Sequence, residues 1–421
     1  MSYDHPLPAD TLESRLPETQ VPPPITETPR QRQASASVPG TVSFTTDKPP
    51  ENPGEQSPER NGPAVEPLSA PVTYFYTLSY LVFFSIFGTL ARLGLQALTF
   101  YPGAPVATGV LWANVGGSLI MGLLLEDKNL FREEWGDVRK DNNSMNEPPN
   151  DREESKRHKS VKKTIPLYIG LTTGFCGSFT SFSSFIRDIF LALSNDLPEP
   201  STSTISSRNG GYSFMALLAV LLTTVSLSLA ALIFGSHCAL ALDFFNLPAT
   251  IPFRLTRRFV DPLFALLGWG CWLGSVFLSI WSPEDTWRGR AVFAIVFAPL
   301  GCLARFYLSL ALNARIPAFP LGTFVVNILG TIILAMCYDL QHVNGIGASA
   351  LVSCQVLQGI MDGFCGAATT VSTWVAELNG LGRRLHAYIY GVVSVGAALG
   401  FFVVIAGSLK WTVGFASPIC A

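Results

Sequence analysis

The amino-acid sequence predicts an all-α polytopic membrane protein of about nine transmembrane helices. It predicts two inverted four-helix repeats joined by a linker helix and preceded by a disordered N-terminal tail. Three observations lead there. Hydrophobic residues make up 48% of the chain and charged residues only 14%, against roughly 25% charged in an ordinary soluble domain. The apolar residues gather into runs long enough to cross a bilayer, which takes about 20 residues per helix. Short polar motifs of the first half recur, in the same order, in the second half.

Residues 1–72 are rich in Pro, Ser, Thr and Glu and poor in aromatics. Such a segment buries too little surface to offset its ordering entropy, so it reads as a disordered cytoplasmic tail. It lacks the charged-then-apolar start of a secretory leader. Nine apolar runs follow, at 74–98, 107–125, 165–193, 213–235, 261–281, 291–312, 320–338, 350–376 and 386–408. In hydrocarbon every backbone polar group needs an internal partner, which makes these runs helices. They group into a first repeat at 73–240, a linker at 241–285 and a second repeat at 286–410, with a C-terminal tail at 411–421.

The connections set the orientation. The stretch 126–163 carries Arg132, Arg139, Lys140, Arg152, Lys156, Arg157, Lys159, Lys162 and Lys163, and the positive-inside rule puts it in the cytoplasm. Arg254, Arg257 and Arg258 place the next such loop inside, as do Arg383 and Arg384 before the ninth run. Residues 194–212 hold Arg208 alone and 338–349 hold no Lys or Arg, so both face out, while Arg288 and Arg290 in the outside loop 282–290 are a mild exception. The N-terminus is then cytoplasmic and the C-terminus, after nine spans, extracellular.

The repeat rests on three matched segments. Gly88-Thr89-Leu90-Ala91-Arg92 pairs with Gly301-Cys302-Leu303-Ala304-Arg305. Gly109, Asn114 and Gly117 pair with Gly322, Asn327 and Gly330. Gly174-Phe175-Cys176-Gly177 pairs with Gly363-Phe364-Cys365-Gly366, each followed by a hydroxyl-rich run. One odd helix between two four-helix copies inverts the second, a plan that puts solute sites near the midplane between copies.

Several residue types fit such a site. Asn114 and Asn327 are polar groups inside apolar helices, where a side chain either bonds to a neighbouring helix or lines a pore. An amide NH2 can donate to a small dehydrated anion. The run from Gly177 to Phe185 and its counterpart from Gly366 to Trp374 suggest broken helices whose freed backbone binds ions, and equally fit a small-residue packing face. Hydroxyls near those breaks come from Thr180, Ser181, Ser183, Thr369, Thr370 and Ser372. Arg92 and Arg305 near helix ends either snorkel to the interface or guard an anion vestibule. Tyr390 and Ser394 share one face of the ninth helix as a polar track.

Other chemistry finds no support. Net charge is -2, with no basic stripe that would point to nucleic acid. The eight cysteines lie mostly in apolar runs without CxxC or metal spacing, and read as buried thiols rather than disulfides or zinc ligands. There is no Ser/His/Asp set, Walker loop or HExxH, so the chain does not read as an enzyme.

The first-helix arginine, the G-T-x-x-V-N segment Gly322–Asn327 and the segment Gly174–Phe185 resemble the fluoride channel family over about residues 75–408. Its bacterial members are four-helix chains that pair antiparallel, and its fungal and plant members fuse two copies through a linking helix. The resemblance implies a passive, double-barrelled, fluoride-selective channel in the plasma membrane, with fluoride and lipid as partners and a single fused chain as the working unit. It implies a Na+ held by the carbonyls of Gly177, Thr180, Gly366 and Thr369. Asn114, Asn327 and Thr323 would then line the pore, and Phe182 and Phe185 would form its aromatic ring. The chain departs from the pattern at Val371 and Trp374, which stand opposite Phe182 and Phe185, and at Val110, opposite Thr323. A membrane carboxylate would favour the alternative, an ion- or proton-coupled transporter, and Asp188 and Glu377 are the candidates.

Overall fold

A computed structural model describes residues 70–102, 104, 109–131, 160–197, 209–245, 251–281, 288–343 and 350–420. The expected tail before residue 70, and most of the basic run at 132–159, lie outside the described residues. The chain is an all-α polytopic membrane protein. Its first copy comprises α1 (Ala70–Thr99), α2 (Leu111–Glu126), α3 (166–179), α4 (Phe182–Ser194) and α5 (Gly210–Phe244). The linker is α6 (Asp261–Ile280), entered through a short helical turn at 253–260. The second copy comprises α7 (Phe293–Leu312), α8 (Leu321–Gln341), α9 (351–368), α10 (Ser372–Gly380) and α11 (Arg384–Thr412).

Six of the described helices are long and apolar enough to cross a membrane: α1, α5, the linker, α7, α8 and α11. The shorter α2 is also apolar. The two remaining predicted spans are each cut in the middle, α3 from α4 and α9 from α10, so neither half reaches bilayer length alone. Four rods and the linker precede α7. Among the described residues that is the odd count that an inverted second copy requires.

Local chemistry sets the ends. Pro166 opens α3, where its missing N–H is no loss. Ser181 caps α4 by accepting from Ser184 N at 3.2 Å, and Asn209 caps α5 by accepting from Tyr212 N at 3.0 Å. Lys162 donates to Leu124 O and Asp127 O at 2.6 and 2.5 Å, placing a cation at the negative end of α2. The linker is fastened to α1 by a buried triad in which Tyr80 donates to Asp261 at 2.7 Å and Arg257 pairs with Asp261 at 2.8 Å.

In lipid the hydrophobic effect offers little between helices, and close backbone approach does the packing. α2 lies on α5 through Gly122 and Gly235, where any Cβ would overlap backbone of the facing helix. α1 and α7 bring the copies together through Leu81, Ala298, Cys302 and Phe306. The half-helices then cross over: α4 packs on α8 and α11 of the second copy, and α10 on α2 and α5 of the first. Each copy thus completes the other.

One expectation is overturned. Cys354, at the start of α9, and Cys420, in the C-terminal tail, form a disulfide, with Cα atoms 5.8 Å apart. Sequence spacing could not reveal it, because the pair is 66 residues apart and meets only when the tail turns back after α11. Ala416 N donates to His342 O at 3.0 Å, and Phe415 packs against Tyr338 and His342, holding the tail in that return. The other six cysteines are free thiols as expected. Maleimide-polyethylene glycol labelling of the denatured protein should therefore add six adducts without reductant and eight after it. Eight adducts in both lanes would show that the bond does not form.

Candidate functional site

The site grows from the two helix breaks. At Thr180 and Thr369 the backbone leaves the helical region, with ψ of 153° and 151°. The hydroxyl-rich sequences make this possible, since Ser and Thr offer side-chain bonds in place of helical ones. Each break is repaired in part by the other copy. Thr180 Oγ1 accepts from Val371 N and Ser372 N, both at 3.2 Å, and Ser372 Oγ donates to Cys176 O at 3.1 Å. Reciprocally, Thr369 Oγ1 accepts from Ser183 N at 3.0 Å, and Ser183 Oγ reaches Cys365 O at 3.4 Å. Thr180 Oγ1 also meets Thr370 Oγ1 at 3.1 Å.

Asn114 and Asn327 clamp the breaks. Asn114 Oδ1 accepts from Ser181 N at 2.8 Å while its amide nitrogen faces Ser181 O at 3.5 Å. Asn327 does the same to Thr370, at 2.9 and 3.3 Å. Both side chains are fully buried. Each amide NH2 has two protons, so one N–H on each asparagine stays available to a further acceptor. Room for the clamp comes from Gly117 and Gly330, against which the methyls of Thr180 and Thr369 pack directly.

Diverting those N–H groups releases carbonyls. In a continuous helix the oxygens of Gly177, Phe179 and Thr180 would accept from residues 181, 183 and 184. Here those donors serve Asn114 Oδ1, Thr369 Oγ1 and Ser181 Oγ. In the second copy the donors of Thr370, Ser372 and Thr373 serve Asn327 Oδ1, Thr180 Oγ1 and Thr370 Oγ1, which releases Gly366, Ala368 and Thr369. All four carbonyls that the family resemblance implies for Na+ are among those released. Neutral oxygens of unwound membrane backbone are the donors that suit a hard monovalent cation, so the residues fit it in kind.

The arginines do not snorkel. Arg92 is 1% exposed and Arg305 2%. Arg92 Nη2 donates to Asp362 O, and Arg305 Nη2 to Thr173 O at 2.6 Å, so each crosses to the opposite copy's broken helix. Gly177 and Gly366 are glycine because Arg305 and Arg92 lie over them. Arg92 Nη1 and Arg305 Nε and Nη1 have no hydrogen-bond partner among the described residues. Arg305 also lines a half-open cavity of about 110 Å³ with Thr172, Ser309, Asn313 and Thr373. Burial against protein costs a guanidinium its water, and the carbonyls of Asp362 and Thr173 repay part of that cost.

A polar track adjoins the second break. Glu377 accepts from Thr323 Oγ1 at 2.6 Å and from Tyr390 OH at 2.7 Å. Ser394 lies beside it but donates to Tyr390 O of its own helix, at 2.6 Å. Sequence reasoning weighed Glu377 only as a transporter carboxylate away from mid-membrane. It is the hub that joins Thr323 to Tyr390. The available signal was its place on α10, one turn after Trp374 on the same helix face. In the first copy Val110 and Asp188 stand at the matching positions, and Asp188 pairs with Arg187 at 3.5 Å instead.

The aromatic residues do meet. Phe182 stacks edge-on against Trp374, with centroids 5.3 Å apart, and against Phe185 at 5.9 Å. Val371 is fully buried beside the break. So Phe182 of one copy and Trp374 of the other form one aromatic wall. Trp374 Nε1 has no partner among the described residues.

The family model for CrcB-like protein, Camphor Resistance (CrcB), matches residues 79–236 and 292–408. Fluoride export protein 1 of Neurospora crassa is 54% identical over 371 residues, covering 84% of this chain and 70% of the relative. Fluoride export protein 1 of Candida albicans is 33% identical over 365 residues, 85% of each chain. The fluoride-specific ion channel FluC of Geotalea uraniireducens is 42% identical over 89 residues, covering 20% of this chain and 66% of the relative. No solved structure matches the chain.

The guanidinium seats generate a steric prediction. Gly177→Ala or Gly366→Ala puts a methyl where Arg305 or Arg92 lies, and overpacking of this kind costs about 1–3 kcal/mol. Gly396→Ala, where a Cβ meets nothing, is the control. The first two should lower the temperature at which the detergent-solubilised protein loses its monodisperse elution peak, and the third should not. An unchanged transition in Gly366→Ala would show that Arg92 is not seated there.

Proposed function

We propose, from the premise that this chain belongs to the CrcB-like protein family, that it exports fluoride as a passive channel of the plasma membrane. The observation that carries the reading is the buried Thr323–Glu377–Tyr390 track running beside the Phe182–Trp374 wall. A dehydrated fluoride needs donors strong enough to replace water and weak enough to release it. The spare N–H of Asn327 supplies a donor, the O–H groups of Thr323 and Tyr390 would turn from Glu377 to the ion, and ring edges carry partial positive charge that faces an anion without holding it tightly. The buried guanidiniums of Arg92 and Arg305 raise the potential along the midplane for any anion.

Each monovalent anion leaving a cell that is negative inside gains about 2.3 kcal/mol per 100 mV, so export needs no further energy source. Released carbonyls of Gly177, Thr180, Gly366 and Thr369 would hold Na+. When bound, that ion supplies a fixed positive charge and ties the two breaks together. The Cys354–Cys420 disulfide supports an extracellular C-terminus, since such bonds persist on the oxidising side of the membrane. Reciprocal repair of the breaks supports a single chain as the working unit, because each copy already has its antiparallel partner.

Glu377 favours one second reading, proton- or ion-coupled transport, because a buried carboxylate inside the membrane can carry a proton. One assay separates the two. Purified protein in liposomes should release fluoride and not chloride, with no dependence on an imposed proton gradient, and Asn114→Asp with Asn327→Asp should abolish release. Fluoride release that follows the proton gradient and is lost in Glu377→Gln would overturn the passive reading. No fluoride release from well-folded protein would overturn both.

A further inference from the structure

We infer that the indole N–H of Trp374 donates a hydrogen bond to fluoride in the pore and helps select it. The inference deepens the proposed channel function and rests on it. Four observations carry it. Trp374 is 1% exposed, and its Nε1 has no hydrogen-bond partner among the described residues. A buried donor left unpaired is costly, so a site that keeps one is suited to a ligand that completes it. The ring packs edge-on against Phe182 at 5.3 Å, and a Cβ added at Gly391 of α11, next to Tyr390, would lie 4.0 Å from it. Along α10 the residue follows the hydroxyl cluster of Thr370 and Ser372 and precedes Glu377 by one turn.

The chemistry favours fluoride over other occupants. An indole N–H only donates. The nearby Ser, Thr and Tyr hydroxyls both donate and accept, and therefore bond to one another, as Thr180, Thr370 and Ser372 do. A donor without acceptor capacity pairs best with a ligand that only accepts. Fluoride is such a ligand, and its small radius lets it approach an N–H hemmed in by rings. The matched position of the first copy is Phe185, which offers only C–H edges, so this donor belongs to the second copy's side alone.

The test labels all indoles with 15N in the detergent-solubilised protein. The chain has eight tryptophans, and the resonance missing in Trp374→Phe identifies Trp374. Sodium fluoride should move that indole proton downfield, and the same concentration of sodium chloride should not. In liposomes Trp374→Phe should keep its elution profile and weaken half-saturation for fluoride about tenfold, the value of a hydrogen bond to a charge at the low end of its range. Replacing Trp374 with benzothienylalanine keeps the ring shape, removes only the N–H, and should give the same loss. A Trp374 resonance that ignores fluoride in protein that still conducts it would overturn the inference, as would equal shifts with both halides. A fluoride-specific shift in protein that conducts nothing would leave the donor standing and overturn the channel reading instead.

Discussion

The molecule depends on the mutual repair of two broken helices. Within hydrocarbon an unwound turn leaves backbone groups that water cannot reach, each costing several kcal/mol, in the range of about 2–7, if unpaired. Each copy supplies part of the repair itself, through Asn114 and Asn327, and takes the rest from the other. Thr180 takes the N–H groups of Val371 and Ser372, while Thr369 takes that of Ser183. The exchange forces α4 and α10 into the opposite copy, which in turn forces the copies to be inverted and intimate. The seats of Arg92 and Arg305 follow from the same crossing, since each guanidinium reaches the opposite copy's third helix just before its break.

Much of this was legible in the chain. Long apolar runs announce their helices because the bilayer permits little else, and the ends of α7 and α8 fall close to the predicted ones, whereas α5 runs on to Phe244 beyond the predicted end at 235. The repeat was legible because Gly88-Thr89-Leu90-Ala91-Arg92 and its counterpart share spacing as well as composition. The breaks were legible as an unusual density of Gly, Ser and Thr. What was not legible is every feature that needs two distant segments at once. The direction of Arg92 depends on where α9 packs, the partners of Glu377 come from α8 and α11, and the disulfide depends on the return of the tail. Periodicity reports which face is apolar. It does not report which polar atom across the interface is waiting.

The asparagines show how such an ambiguity resolves. Pore lining and interhelical bonding were alternatives for Asn114 and Asn327, and the geometry shows the bonding while leaving a donor that lining would need. The carbonyl of each amide and one of its N–H groups hold the broken backbone, and the second N–H remains. A residue that fixes the break also offers a donor at the break. Substitution by Asp keeps the acceptor and removes both N–H groups while adding charge, so it strikes both roles together.

Comparing the copies separates scaffold from lining. The residues that hold the breaks recur: Asn114 with Asn327, Thr180 with Thr369, Gly177 with Gly366, Arg92 with Arg305. The residues beside them differ: Val110 against Thr323, Phe182 against Val371, Phe185 against Trp374, Asp188 against Glu377. Reciprocal contact explains the threonines, glycines and arginines, because a change in one copy disturbs a partner in the other, while each asparagine holds the break of its own copy. The second group bears no such obligation. Its members can diverge without opening the midplane, and the divergence has gathered the hydroxyl–carboxylate track and the buried indole N–H of Trp374 on one side of the fused chain. Fusion permits this asymmetry. A pair of identical chains must line both of its pores alike, whereas one chain with two copies can keep a symmetric frame and line its two sides differently.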